Sequence, residues 1–301
     1  MKTNGVVNGA FETTRLDVPR TEDENVSILW KNIHYKVNDW SSFTNNKKVI
    51  LHSVSGYFKS GTLNAILGSS GTGKTTLLNI LSGSQGCSSG GGRLAANSKI
   101  YVQPKWATSY FIAQHVHENL IGELTIRTIL QYAFAFKNGS SARRLAASHI
   151  AQTMSTLLLP EKLLDQPFCR CSGGEQRRIA IAQELMALTA PNFLFLDEPT
   201  TGLDSVSAYE TMRCLQQLAK RQHITVISSI HAPNQETLFL FDQLYVLAKS
   251  LDGGVCIFTG PPSYIRPFLE SNLPTAITDT KSPPIETLIK IACNGNGKLT
   301  K

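Results

Sequence analysis

The stretch 62-TLNAILGSSGTGKTTLLNILSG-83 decides how the chain is read. Up to Leu67 it is a short apolar run that ends at a glycine. From Lys74 it takes on helical periodicity through Leu77, Leu78, Ile80 and Leu81. The piece between, Gly68-Ser69-Ser70-Gly71-Thr72-Gly73-Lys74-Thr75, fits G-x-x-x-x-G-K-[ST] in the strand–loop–helix context which that pattern requires. Glycines there let backbone N–H groups turn inward around phosphate oxygens, and the helix N-terminus adds positive potential. Lys74 is then placed to reach the outer phosphates and Thr75 to ligate Mg²⁺, with Thr76 next in the first helical turn. The spacing predicts a site for a nucleotide with its magnesium ion.

Working outward, 193-FLFLDE-198 supplies a partner for that loop. Phe193 to Leu196 predict a buried strand, and Asp197 stands at its carboxyl end, where open α/β sheets place ligands. A carboxylate there suits Mg²⁺, which takes few protein ligands. Glu198, one residue on, is the candidate for polarising an attacking water. Further short apolar runs, "ITVISSIHAP" and "DQLYVLA", read as buried parallel strands, with the helix "SAYETMRCLQQLAKRQ" before them. "VSILWKNIHYKV" and "KKVILHSVSGYF" read as strands joined by the polar link "NDWSSFTNN". Residues 83–98 read as loop, about 118–188 as an inserted helical region, and the proline-rich stretch after Gly260 as a loosely packed tail with short helices. The first 25 residues are polar and predict disorder.

Composition bounds the alternatives. A chain of 301 residues, 42% of them hydrophobic, can bury a sizeable core. The formal net charge is +7, but the basic residues are scattered along the sequence without a dense run, which reads as a mildly basic surface. The six cysteines, at 87, 169, 171, 214, 256 and 293, form no CxxC pair and read as reduced thiols rather than as a zinc site. No apolar run approaches the roughly 18 residues of a membrane span, so the chain as given reads as soluble.

One motif resists a chemical reading of its own. Ser172-Gly173-Gly174-Glu175, in "FCRCSGGEQRRIAIAQELMA", opens a helix with residues that are poor helix formers, yet offers no nucleophile or metal ligand. A serine hydroxyl and glycine amides at a helix N-terminus form an anion site. The chain already has a complete phosphate loop, so this second site has no phosphate of its own.

"GSSGTGKTT", "CSGGEQRRIAIAQEL", "FLFLDEPTTGLDS" and "ISSIHAP" occur in that order. Over residues 26–260 the chain closely resembles the nucleotide-binding domain of ATP-binding cassette (ABC) transporters. It is most similar to the G subfamily of white/eye-pigment, sterol and multidrug half-transporters. Residues 261–301 resemble the segment linking that subfamily's cassette to its membrane helices. The implied fold is α/β, a P-loop NTPase core with a mostly parallel sheet, an N-terminal antiparallel β part and an inserted α-helical subdomain.

The resemblance also implies roles. Ser172, Gly173 and Gly174 would belong to the signature motif that closes on ATP held by a partner chain. Gln114 would be the Q-loop residue near Mg²⁺ and the water, His231 the switch histidine at the γ-phosphate, and Asp204 the D-loop residue that crosses to the other protomer. Tyr35 would stack on adenine; by residue type alone it reads equally well as core. Cys171, Gln176 and Ala232 depart from the subfamily's usual aliphatic, arginine and glutamine, and none of the three removes a phosphate or metal contact. The implied function is an ATPase on the cytoplasmic face of a membrane, powering transport of lipids, sterols, pigments or xenobiotics. Its partners would be a second nucleotide-binding domain, in a homo- or heterodimer, and a membrane-spanning domain. No nucleic acid is expected. The alternatives are a soluble ABC ATPase acting on RNA or ribosomes, and a truncated regulatory isoform.

Overall fold

Strand β3 (Leu63–Gly68) is buried along its whole length. It lies parallel to β8 (Thr225–Ile230) on one side and to β9 (Gln243–Ser250) on the other. Beyond β8, β7 (Phe193–Asp197) and β6 (Ser109–Ile112) continue the parallel set. These strands read as apolar runs because both of their faces are covered. This computed structural model describes residues 26–38, 47–84, 92–114, 120–272 and 284–293. The expected disordered tail, 1–25, and the polar link 38–46, all but Asn38, lie outside those residues.

Alternation along the strands splits the core in two. Leu63, Ala65, Leu67, Leu194, Leu196, Val226, Leu244 and Val246 face one cluster. Ile66, Phe193, Phe195, Ile227, Tyr245 and Leu247 face the other. Helix α1 (Lys74–Leu81) packs on the second face through Leu77, Leu78, Ile80 and Leu81. There it meets the antiparallel pair β1 (Val26–Asn38) and β2 (Lys47–Lys59), whose Trp30 and Phe58 rings are 5.0 Å apart. The first face is covered by α2 (Ile126–Asn138), α3 (Ala146–Thr156), α4 (Gly173–Glu184), α5 (Ser205–Gln222) and the short α6 (Gln235–Leu238).

Two expectations change, and one strand is an addition to them. The stretch 83–98 contains a two-residue strand, β4 (Arg93–Leu94), paired with the end of β1; β5 (Lys99–Val102) pairs with β1 nearer its start. Strand β10 (Gly253–Gly260) runs antiparallel beside β9 and joins the antiparallel part to the parallel core, giving one 10-stranded sheet among the described residues. The stretch after Gly260 is not loosely packed where it is described. Ile265 and Leu269 of α7 (Ile265–Asn272) and Ile285 and Leu288 of α8 (Pro284–Cys293) lie in the first core cluster, each at most 3% exposed. Prolines there stand at or near helix starts, where a missing N–H costs nothing, rather than in helix interiors. Among the described residues no helix is long and apolar enough to cross a membrane.

Candidate functional site

The sheet register delivers the predicted residues to one edge. Leu67 pairs with Ile230, Asp197 with Ser229, and Ile112 with Leu196. Gly68, Gln114, Asp197, Glu198 and His231 therefore all emerge at the carboxyl ends of parallel strands, the place where such sheets bind ligands.

The loop at residues 68–75 has the geometry of a phosphate cradle. Gly73 is the N-cap of α1 with φ 93°, and it offers no side chain to close the helix end. A Cβ there would lie 2.7 Å from Leu51 Cδ2, so only glycine fits, and the first-turn N–H groups stay open to a ligand. Lys74 is 5% exposed, and its ammonium donates to the carbonyls of Gly68 (2.9 Å) and Ser69 (3.2 Å), at the mouth of the loop. The Thr75 hydroxyl donates to Asp197 Oδ1 at 3.0 Å, and the Ser229 hydroxyl donates to the same oxygen at 2.5 Å. Thr75 and Asp197 thus form a pair of hard oxygen donors beside the loop, a set that suits magnesium.

Glu198 leaves the strand with φ 45°, a left-handed conformation that costs a non-glycine residue roughly 1–2 kcal/mol. Hydrogen bonds from both its backbone and its side chain hold it there. Its N–H donates to Ser229 Oγ at 2.9 Å, and its Oε2 accepts from Gln114 Nε2 at 3.0 Å and from Thr201 Oγ1 at 2.9 Å. Strain fixed in this way marks a position whose side-chain direction matters. Gln114, expected near Mg²⁺ and the water, donates its Nε2 to Glu198. His231 is exposed at the end of β8. Tyr35, expected to stack on adenine, is 8% exposed in the core cluster that also holds α1, which leaves its ring little room to receive a base.

The signature turn forms a second group. Ser172 is the N-cap of α4, and the helix opens with a capping box. The Glu175 N–H donates to Ser172 Oγ at 3.3 Å, while Glu175 Oε2 accepts from the Ser172 N–H at 2.8 Å and from its hydroxyl at 2.9 Å. A Cβ on Gly174 would lie 2.9 Å from the Ser207 Cβ on α5, so the glycine permits close approach of two helix starts. Asp204 caps that second helix, accepting from the N–H groups of Val206 and Ser207 at 3.0 Å each. A cavity of about 250 Å³ separates Gly173, Gln176 and Arg177 from residues 201–203. Two of the three departures from the family pattern have local surroundings that account for them, and nothing in the structure explains Ala232. Gln176 donates to the carbonyls of Phe168 and Cys171, bracing the turn before the helix. Cys171 is buried in the core, and burial, then Glu175 and Cys169, push its thiol above the ordinary range.

Sequence reasoning passed over Ser229, Thr201 and Arg177. Ser229 is fully buried within the apolar strand "TVISSI", and a buried hydroxyl in such a run is itself a signal. Buried Arg177 donates to the Ala113 carbonyl at 3.3 Å, tying α4 to the residue before Gln114, and nothing in the sequence announces it.

Parallel sheet, phosphate loop and strand-end acids define a P-loop NTPase. The profile of the family described as "ABC transporter" matches residues 51–201, half of the chain. "ABC transporter G family member 7" of Arabidopsis thaliana is 36% identical over 248 residues, covering 78% of this chain and 32% of that protein. "Broad substrate specificity ATP-binding cassette transporter ABCG2" of Mus musculus is 35% identical over 265 residues, covering 84% of this chain and 38% of that protein. The solved structure of cbiO1 from Clostridium perfringens superposes with a TM-score of 0.63 at 22% identity, over 83% of this chain and 97% of that one. The chain belongs to the ABC transporter family and carries the family's ATPase domain. It spans about a third of the length of the curated relatives it matches.

Proposed function

We propose that the chain is the ATP-hydrolysing motor of a G-subfamily ABC transporter, acting at the cytoplasmic face of a membrane to drive export or import of lipids, sterols, pigments or xenobiotics. The observation that carries this reading is the joined network at the sheet edge, in which Thr75, Asp197, Ser229, Glu198 and Gln114 are linked by hydrogen bonds beside the Lys74 loop. The G-subfamily relatives at 35–36% identity support the subfamily.

Catalysis at such a site is mostly positioning and charge stabilisation. Lys74 and the open N–H groups of α1 bind the phosphates. Thr75 and Asp197 would hold magnesium, which would supply charge neutralisation to the bound phosphates. Glu198, held at a fixed angle by Gln114 and Thr201, orients the attacking water and accepts its proton. His231 stands at the same edge to hold the γ-phosphate in line. Ser172 and Gly174 of a second cassette close on that phosphate, and Asp204 lies at the same face of the domain. The membrane domain would convert closing and opening of the pair into transport. Replacing Glu198 by Gln should leave ATP binding intact and lower hydrolysis by about 10²–10⁴-fold, with a nucleotide-trapped dimer on gel filtration. Turnover at the wild-type rate would remove Glu198 from this role.

A further inference from the structure

The basic residues are scattered in sequence but not in space. Residues 26–114 hold eight lysines and one arginine against a single acid, Asp39, a formal +8 where the whole chain carries +7. Asp39 lies outside the described residues. The excess gathers on the antiparallel part of the sheet. In β1, Tyr35 and Val37 turn inward to the core that also receives α1, so His34, Lys36 and Asn38 lie on the opposite, outer face. On β1 like charges stand directly across from each other: Lys36 pairs with Arg93 of β4, and Lys31 with Lys99 of β5. Such pairs are repulsive and need a reason.

His34, Lys36, Asn38, Lys47 and Arg93 also line a cavity of about 200 Å³ on that face. We propose that this cavity binds a phosphate-bearing anion, carried either by an acidic phospholipid headgroup or by a soluble phosphate ester, at a site separate from the ATP cradle. Lys36, Lys47 and Arg93 supply the charge, with the guanidinium suited to bidentate contact. Asn38 adds an amide donor. Burial first, then Lys36 and His52, hold the His34 imidazolium below its ordinary range, so near neutral pH this ring offers a neutral N–H. A bound anion relieves the Lys36–Arg93 repulsion. Lysines placed only to keep an edge strand from pairing with other chains would not need to converge on a cavity.

The test uses the full chain with saturating ADP and Mg²⁺ to fill the cradle. Two probes are titrated: inorganic pyrophosphate by calorimetry, and flotation on phosphatidylcholine vesicles with or without phosphatidylinositol 4-phosphate. The wild type should bind at least one probe, and Lys36→Ala/Arg93→Ala should weaken it by about tenfold or more, as loss of charged hydrogen bonds predicts. ADP affinity should stay unchanged, which shows that the variant is folded. Arg93→Lys keeps the charge but loses the bidentate fork, and should weaken binding by less than the double alanine variant does. Lys31→Ala/Lys105→Ala removes the same charge outside the cavity and should change binding less than about twofold. Binding to the phosphoinositide vesicles alone assigns a lipid headgroup; binding to pyrophosphate assigns a soluble phosphate ester. Failure of the wild type to bind either probe overturns the proposal. So does an equal loss in the two double variants, which would mean a diffuse basic surface or edge protection.

Discussion

Two helices in this molecule begin with glycine, and they begin differently. At α1 the cap is Gly73 in a left-handed conformation, with no side chain to satisfy the first-turn N–H groups. At α4 the cap is Ser172 in an extended conformation, with a capping box that meets the helix end from within the chain. The glycines serve opposite ends as well. Gly73 keeps a backbone path open beside Leu51 and a ring of donors facing outward, whereas Gly174 lets α4 sit against Ser207 of α5. One helix start is built to receive an anion. The other is already satisfied and is positioned by packing, as a surface that meets a phosphate held elsewhere would need to be. Sequence spacing made both look like anion sites; only the caps distinguish them.

The largest effect expected from that contrast is at the open end. Lys74→Ala removes a cation enclosed by the loop carbonyls, and ATP affinity should fall about a hundredfold in equilibrium binding, the upper range for a charged hydrogen bond. Unchanged affinity would mean that the loop is not the phosphate site. The packed end should respond otherwise. Gly174→Ala pushes a methyl group to 2.9 Å from Ser207 Cβ and forces α4 and α5 apart, a misfit of about 1–3 kcal/mol. ATP affinity should stay within about twofold, because the cradle is untouched, while hydrolysis falls tenfold or more through misplacement of the closing surface. If Gly174→Ala weakened ATP binding as strongly as Lys74→Ala, the two ends would not be separate. A smaller effect is expected at Arg177, which links α4 to the Ala113 carbonyl beside Gln114. Arg177→Met keeps apolar bulk and should reduce hydrolysis severalfold through Gln114 and Glu198, with ATP affinity preserved.

How much of this was legible in the sequence depends on how far each residue's role is local. Gly68 to Thr75 and Phe193 to Glu198 were readable because strand, turn and helix stand next to one another and the chemistry follows from order alone. The Ser172–Glu175 spacing of a capping box was also visible, three residues apart, but the glycines beside it drew the reading towards phosphate. Long-range pairings were not readable. Ser229 reaches Asp197 across 32 residues of sequence, Gln114 reaches Glu198 across 84, and Arg177 reaches Ala113 across 64. The concentration of charge on the outer β face was hidden for the same reason: β1, β2, β4 and β5 bring together lysines and Arg93 that no run contains. The tail was misread because its prolines outweighed the Ile265/Leu269 and Ile285/Leu288 spacings that place α7 and α8 in the core.

The finest test of the comparison is Ser172 itself. Its hydroxyl accepts from the Glu175 N–H at 3.3 Å and donates to the Glu175 carboxylate at 2.9 Å, so it is already engaged within its own chain. Ser172→Ala should therefore cost about 1 kcal/mol of helix stability. In a domain of this size that lowers Tm by roughly 2–4 °C, measurable by differential scanning fluorimetry. Ser172→Asp restores a capping acceptor but brings a negative charge to a surface meant to face phosphate. If capping is the whole role, Asp should recover both Tm and hydrolysis. If the hydroxyl also meets a partner's γ-phosphate, as proposed, Asp should recover Tm alone and leave hydrolysis at or below the alanine level, because like charges repel where the two chains close. Recovery of both would leave α4 as a helix with a well-made cap, held in place by Gly174, and would assign the phosphate contact to the glycine amides alone.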